Sequence, residues 1–545
     1  MTTTTSRHPL AGTPAPKDLL CDVPALLAAF HDRRPDPGAP AERVAFGTSG
    51  HRGSPLKGSF QQDHVLAVAQ AIAEHRDAAG LDGPLFLGRD THALSAPAAD
   101  LVAEVLAANG VTVVVQSGGQ PAPTPVVSWR ILVENEGTDA ASDGVVVTPS
   151  HNPPEDGGLK YNPPEGGPAD SATTSAIERR ANEILEDGLR DVRRASLDHA
   201  RREGLLREED WRLDYVRDLD AVLDMEAIAR ARLRLGADPL GGAALGMWDL
   251  VNEVWGTSIE TTCRAVDPTF SFLRVDHDGR LRMDCSSAAA MAGLVELAER
   301  FDLAFGNDPD ADRHGIVVPG IGLLAPNLVL AASIDYLLST RRGWSPEAGV
   351  GKTVVSSALI DRVVEHAGRS LVEVPVGFKF LAPGLLDGDL CFGGEESAGA
   401  SFLRLDGTTW TTDKDGIVVN LLAAECLATT GEDLGRRVAG LEERFGRSFY
   451  RRVDLPAEPS LRRRIASLEP SSLGISSLAG DPIESAITRA PGNGASIGGI
   501  KVSTRSGWFA ARPSGTEDIV KIYAESMLGE DHLERILEQA REVLR

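Results

Sequence analysis

Apolar positions along the chain follow two alternating rhythms. Short unbroken runs, in PLFLGRD (84–90), VTVVVQ (111–116) and the GVVVTP that starts at 144, have the make-up of strands covered on both faces. Between them, in QQDHVLAVAQAIAEHRDAAG (61–80) and SAPAADLVAEVLAANG (95–110), apolar residues return every three or four positions. That is the period of helices with one buried side. Strand and helix in alternation predict α/β architecture with largely parallel sheet.

The alternation continues in a second unit, which ends in DLAFGNDPDADRHGIVV (302–318). A third opens on the helix NLVLAASIDYLLSTRR (327–342) and contains KTVVSS and LVEVPVGFKF. The pattern then changes. IKVSTRSGWFAARPSGTEDIVKIYAES (500–526) reads as adjacent strands ahead of a terminal helix, DHLERILEQAREVLR, which is α+β rather than α/β. No fixed-period repeat is visible, which argues against a solenoid or propeller.

At 545 residues the chain exceeds what one core can hold. The expected divisions are a polar N-terminal extension (1–38), a first α/β unit (39–205), a second (206–322), a third (323–445) and the α+β unit (446–545). The stretch 171–212, dense in Arg, Glu and Asp, reads as an exposed helical connector. The start, MTTTTSRHPLAGTPAPKDLL, has no apolar run of the kind a signal peptide carries and reads as flexible. No segment approaches the roughly 18 apolar residues of a membrane span, so no membrane partner is expected. Cys21, Cys263, Cys285, Cys391 and Cys426 lie far apart with no CxxC pair, which favours a reducing cytoplasm over a disulfide frame or zinc site. A net charge of −24 with no offsetting basic stripe argues against nucleic acid. It does not exclude an anionic small substrate, because beyond about 8 Å the global field is screened.

Four loops carry chemistry. TPSHNPPEDGGLKY (148–161) places Ser150 and His151 at the mouth of a strand in a proline-stiffened loop, with Lys160 following. A hydroxyl is a weak nucleophile that needs a base or a cation beside it, and both His151 and Lys160 can move protons. In GNDPDADRHG (306–315), Asp308, Asp310 and Asp312 alternate, so a curled loop can converge three oxygens on one hard cation. Few carboxylates with open positions suit Mg²⁺ beside a phosphate. An EF-hand would need Gly at 313 and Glu at 319, where Arg313 and Pro319 stand. FGGEESAGAS (392–401) offers acidic acceptors among glycines that allow close approach to sugar hydroxyls. RPSGTED (512–518) combines the fork of Arg512 with the hydroxyls of Ser514 and Thr516 around a glycine turn, a phosphate cradle. Two decoys fall away. GVGKT (349–353) lacks the upstream P-loop glycine, with Pro346 in its place, and GASIG (494–498) precedes a strand rather than forming a strand-to-helix elbow.

FGTSGHRG, TPSHNPPEDGGLKYNPPEGGPAD, GNDPDADRHG, VGFKF, GGEESAGASFLR, TDKDG and RPSGTED, in that order over residues 46–518, resemble the α-D-phosphohexomutase superfamily. Within it they resemble the bacterial members that act on α-D-glucose 1-phosphate. The resemblance implies four domains around a central cleft: three related mixed-sheet α/β domains and a smaller C-terminal α+β domain. It implies a phosphoserine at 150, one Mg²⁺ held by Asp308, Asp310, Asp312 and the phosphate on Ser150, and glucose 1,6-bisphosphate as intermediate and activator. Glu395 and Ser397 would read sugar hydroxyls. Arg512, Ser514 and Thr516 would hold the phosphate that is not reacting. Arg52, Arg313, Lys379 and Lys414 would contact substrate or phosphate, and His151 and Lys160 are both candidate proton-transfer groups. The implied partner is a phosphosugar, bound by a monomer or homodimer. The rival readings are a relative acting on mannose, glucosamine or pentose phosphates, a phosphatase using Asp308 as nucleophile, and a non-catalytic phosphosugar-binding protein. Asp308-Pro309-Asp310-Ala311-Asp312 departs from the D-x-D-G-T that the phosphatase reading needs.

Overall fold

The structure, a computed structural model, describes residues 8–47, 50–514 and 519–544. The predicted runs become strands at Leu85–Arg89, Val113–Gln116 and Asp143–Val147, and the periodic segments become helices at Gln62–Ala79 and Ser95–Ala108. Val145, Val146 and Val147 are all fully buried, as a strand covered on both faces requires.

Four main sheets organise the chain. The first runs His51–Gly53, Gly157–Asn162, Asp143–Val147, Leu85–Arg89, Val113–Gln116, Leu206–Glu209. Its last four strands are parallel, and the Gly157–Asn162 strand turns back antiparallel on Asp143–Val147. The second sheet runs Gly322–Leu323, His314–Val318, Leu303–Asn307, Leu235–Asp238, Ile259–Thr261. The third runs Leu371–Val374, Gly349–Thr353, Leu390–Glu395, Gly399–Phe402. Both repeat the scheme of the first: parallel strands followed by an antiparallel hairpin return, which in the first and second sheets carries one further antiparallel edge strand. In each sheet the turn of that hairpin is one of the loops singled out for its chemistry: 148–156, 308–313 and 396–398. The fourth sheet, Phe449–Pro456, Ile519–Ser526, Gly507–Pro513, Ser496–Ser503, Ser485–Arg489, is antiparallel throughout, with the helices Pro459–Ala466 and Glu530–Leu544 packed on it.

Apolar packing joins the first three units. One cluster runs from Phe86 and Trp129 through Trp211, Trp248 and Phe305 to Leu337, Val350 and Leu422. The fourth sheet has its own core around Ile500, Phe509, Ile522 and Ile536.

Three expectations change, and one dismissal, that of the P-loop, holds. The helix Ser171–Glu186 is not a connector: it buries Ile177, Ala181, Ile184 and Leu185 against the first unit, and its charges line only the outer face. The strand Leu206–Glu209 pairs with Val113–Gln116, so the first sheet extends past the boundary set at 205. The N-terminal extension is docked from residue 8 on. Gly12 N–H donates to Val275 O at 2.8 Å, Val275 N–H donates to Thr13 O at 2.9 Å, and Ala15 and Leu20 pack on the second unit. The helix Val23–Asp32 then buries Leu26 and Phe30 in the first unit, so this segment straps the two together. GVGKT is itself the strand Gly349–Thr353, and the buried Lys352 ammonium pairs with Asp361 and Glu373 rather than with a phosphate. Among the described residues, no helix is long and apolar enough to cross a membrane.

Candidate active site

The first hairpin positions Ser150. Thr148 N–H donates to Gly158 O at 2.9 Å, closing the base of the loop. Only glycine fits at 158, because a Cβ there would stand 2.2 Å from Thr148 O. Ser150 has φ +58°, unusual for a residue with a side chain. Its N–H donates to Thr148 Oγ1 at 2.8 Å. Its buried Oγ donates to Asp308 Oδ2 at 2.9 Å and lies 3.1 Å from His151 Nδ1. Burial, with Arg313 adding to it, drives the His151 imidazole far below its ordinary pKa, so the ring is neutral.

The second hairpin supplies the acids. Asp308, Asp310 and Asp312 are buried, and each offers an oxygen within 4.8 Å of the others. The curl that brings them together depends on Ala311 at φ +56°. Neighbouring units hold it in place. Thr124 N–H donates to Asp310 O at 2.8 Å and Thr124 Oγ1 to Asp310 Oδ2 at 2.6 Å, while Gly416 N–H donates to Ala311 O at 3.1 Å. Burial, then Asp310 and Asp312, push the Asp308 pKa well up, the signature of carboxylates gathered without enough positive charge. Asp310 Oδ1 and Asp312 Oδ1 are buried and have no hydrogen-bond partner among the described residues. Buried, clustered, partly unsatisfied oxygens fit a hard divalent cation.

Cations ring the acids. Lys160 Nζ lies 2.6 Å from Asp310 Oδ2 and 3.0 Å from Asp312 Oδ2, and Lys414 Nζ lies 3.2 Å from Asp312 Oδ2. Burial opposes charge on Lys160, but Asp310 and Asp312 outweigh it and hold the ammonium protonated. Arg313 Nε stands 3.9 Å from both Asp308 and Asp312. The field of the three aspartates reaches Arg52, on the edge strand beside Gly158.

Ser150, His151, Lys160, Arg313, Lys414 and the three aspartates therefore form one cluster. The remaining candidates surround it. Glu395 is buried at the end of its strand, where Oε1 accepts Gly377 N–H at 2.9 Å and the Lys414 charge acts on it. Ser397 sits in the third hairpin's turn, which is tied to the second unit by His314 N–H donating to Ala398 O at 3.0 Å. Lys379 stands apart from the acids, its Nζ 2.9 Å from Ser171 Oγ across the seam with the first unit. Arg512 stands at the end of the strand Gly507–Pro513 and Ser514 just after it, its N–H donating to Ile519 O at 2.9 Å, and the Arg512 charge acts on Glu396. Thr516 lies outside the described residues.

Sequence reasoning missed Thr124, Asp90 and His92. Thr124 braces the aspartate loop. Asp90 accepts the Thr148 hydroxyl at 2.6 Å. The available signal was position: Asp90 follows a central parallel strand at its C-terminal end, where α/β sheets place their ligand sites.

Comparison with known proteins accounts for nearly the whole chain. Residues 43–187, 213–321 and 325–445 match the phosphoglucomutase/phosphomannomutase α/β/α domains I, II and III, and residues 481–543 match the family's C-terminal domain. A phosphoglucomutase from Komagataeibacter xylinus is 51% identical over 540 residues, 99% of this chain and 97% of its own. A phosphoglucomutase/phosphomannomutase from Thermococcus kodakarensis is 25% identical over 509 residues, 91% of this chain and 98% of its own. The crystal structure of parafusin from Paramecium, in its open form, superposes with a TM-score of 0.72 at 19% identity, covering 94% of this chain and 95% of that one, and shows the same fold. With its four domain types in family order and a relative at 51% identity along its length, this chain belongs to the phosphoglucomutase/phosphomannomutase family, the α-D-phosphohexomutases.

Proposed function

We propose that this chain is a phosphoglucomutase that interconverts α-D-glucose 1-phosphate and glucose 6-phosphate through a phosphoserine at 150. One observation carries the reading: a buried serine hydroxyl 2.9 Å from the first of three clustered aspartates. The 51% identity to a phosphoglucomutase supports glucose as the sugar.

The phosphoryl group on Ser150 passes to the free 6-hydroxyl of glucose 1-phosphate. The Oγ–P bond breaks, an O6–P bond forms, and the hydroxyl proton goes to a base. The resulting glucose 1,6-bisphosphate turns over without leaving and returns its 1-phosphoryl group to Ser150, releasing glucose 6-phosphate. Such transfers are accelerated chiefly by position and charge. His151, neutral and beside Ser150 Oγ, suits the proton acceptor. Lys160, charged and fixed on Asp310 and Asp312, suits charge stabilisation. Asp308, Asp310, Asp312 and the phosphate on Ser150 would hold Mg²⁺, which when bound offsets the negative charge of the phosphoryl group. Glu395 and Ser397 would read the sugar in two orientations. Arg52, Arg313, Lys379 and Lys414 would contact substrate or phosphate, while Arg512, Ser514 and Thr516 hold the phosphate that is not reacting. On this reading the serine unit runs from 39 through Glu209, the aspartate unit on to 322, the sugar-recognition unit from 323 to 445 and the phosphate-binding unit from 446 to 545, after a polar extension over 1–38. A monomer or homodimer in a reducing cytoplasm is the setting this reading assumes.

Intact mass and a coupled assay test it together. The purified protein should carry one phosphate that exchanges with labelled glucose 1,6-bisphosphate, and Ser150→Ala should lose both the label and turnover while keeping its thermal midpoint. Wild-type turnover in Ser150→Ala would refute the nucleophile. Faster conversion of mannose or glucosamine 1-phosphate would refute the sugar.

A further inference from the structure

Ser150 holds a left-handed backbone at φ +58°, a conformation that a residue with a side chain keeps only where its surroundings impose it. The groups that impose it lie on residues to which the chemistry above gives no part. Two residues before Ser150, Thr148 Oγ1 accepts the Ser150 N–H at 2.8 Å and donates its own proton to Asp90 Oδ2 at 2.6 Å. Two residues after it, Asn152 O faces His92 Nε2 at 3.2 Å. His92 Nδ1 closes on the same Asp90 carboxylate at 2.8 Å.

Asp90 is fully buried and His92 nearly so. The carboxylate also accepts His92 N–H at 3.0 Å and the Ser95 hydroxyl, so four donors converge on it. Nδ1 faces the Asp90 carboxylate and Nε2 a backbone carbonyl, so both ring nitrogens donate. Burial opposes charge on the ring, yet Asp90 outweighs it and raises the imidazole's pKa. The intervening Thr91 Oγ1 donates to Gly241 O at 2.7 Å, and the His92 ring packs 5.1 Å from that of Phe270. Gly241 and Phe270 both belong to the unit that carries the aspartates.

We propose that Asp90 and His92 are positioning residues, a buried pair that clasps the serine loop on both sides of Ser150 and keys it to the aspartate-bearing unit. The clasp rests on the phosphoryl-transfer reading above and explains how one Oγ serves two transfers. The oxygen loses and regains a dianionic group in each cycle and must stand in the same place both times. A loop held only by its own turn would shift with that change of charge. A buried carboxylate held by four donors resists it.

Wild type, Asp90→Asn, Thr148→Val and Thr148→Ser test the clasp by steady-state kinetics with α-D-glucose 1-phosphate and by backbone amide exchange without substrate. Asp90→Asn and Thr148→Val should lower kcat about 10²-fold, the scale of a misplacement near 1 Å, with KM within about threefold. Thr148→Ser keeps the hydroxyl and should retain kcat within about threefold. Exchange at 150–152 should quicken at least about tenfold in the two damaging variants, with the strand Asp143–Val147 unchanged. If Asp90→Asn does not fold, Thr148→Val against Thr148→Ser carries the comparison alone. Unchanged kcat in Thr148→Val, or faster exchange spread evenly into Asp143–Val147, would overturn the proposal. Amide exchange needs no turnover. A wild type that fails to convert the sugar refutes the mutase reading, while the clasp stands or falls on the exchange data.

Discussion

His51 precedes Arg52 on the edge strand and is buried between two rings, 5.8 Å from Phe60 and 5.5 Å from His64. Burial, with the His64 charge adding to it, pulls its pKa down to about 4. His314, behind the aspartate loop, is buried and pulled down to about 3. Both have folded pKa values below that of an exposed imidazole, so the unfolded chain binds the proton first as pH falls. Their contribution to stability is complete above pH ~6.5 and is lost as pH drops from there towards 4, at about 1.4 kcal/mol per pH unit for each proton. His51→Phe, which keeps a ring in the stack, should flatten that slope by close to one proton. Urea midpoints of wild type and variant between pH 4.5 and 7 check it. Parallel curves would mean that His51 titrates alike in the folded and unfolded chain, so that burial does not lower its pKa.

At the scale of elements, the three α/β units use one device: a parallel strand that delivers a loop, and an antiparallel partner that carries the chain back beneath it. The return strand fixes the loop, so its small residues matter as much as the loop's reactive ones. Gly158→Ala would push a Cβ to 2.2 Å from Thr148 O, forcing the strand Gly157–Asn162 away from the base of the serine loop. A cost of about 1–3 kcal/mol is expected from such overpacking. Turnover should fall with it, because Lys160 lies on the same strand and Ser150 on the loop. A thermal melt and the coupled assay measure the two effects, and a variant with both unchanged would show that the strands can part freely. The individual loops were legible in the sequence because they concentrate Ser, Asp, Gly and Pro where buried strands end. Their common build came only through the family resemblance, since a hairpin return leaves no period in the residues. Asp90 and Thr124 were hidden for a related reason. Each acts through a partner more than 50 positions away, Thr148 and Asp310, and no local pattern marks such a pair. The stretch 171–212, dense in Arg, Glu and Asp, misled because its charges dominate the composition, while the apolar face of Ser171–Glu186 holds the helix to the first unit.

The whole molecule divides at a different place from its four units. The first three share one continuous core, so Ser150 and the aspartates sit in a single packed body. The fourth sheet joins that body through a seam with an apolar cluster of its own, separate from both cores. Val354, Val355 and Val376 meet Tyr450, Trp508 and Tyr523, Lys501 Nζ pairs with Glu373 at 2.7 Å, and Glu525 accepts Ala358 N–H at 2.7 Å. A seam whose apolar cluster is continuous with neither core, and which carries several polar bonds, is the kind across which domains move and melt separately. Function gives the division a purpose. On the proposed reading, a cradle on the fourth unit would receive a phosphate from either end of the sugar, while the serine and the aspartates stay in register. Calorimetry should therefore resolve two transitions, the smaller worth about 70 kcal/mol for the hundred or so residues of the C-terminal unit. Ile522→Ala, which opens a cavity in that unit's core, should lower the smaller transition by the 2–5 kcal/mol usual for such truncations and leave the larger one in place. A single endotherm that shifts as a whole would show that the seam is as strong as the cores it joins, and the cradle could then reach the sugar's two ends only if the sugar alone moves.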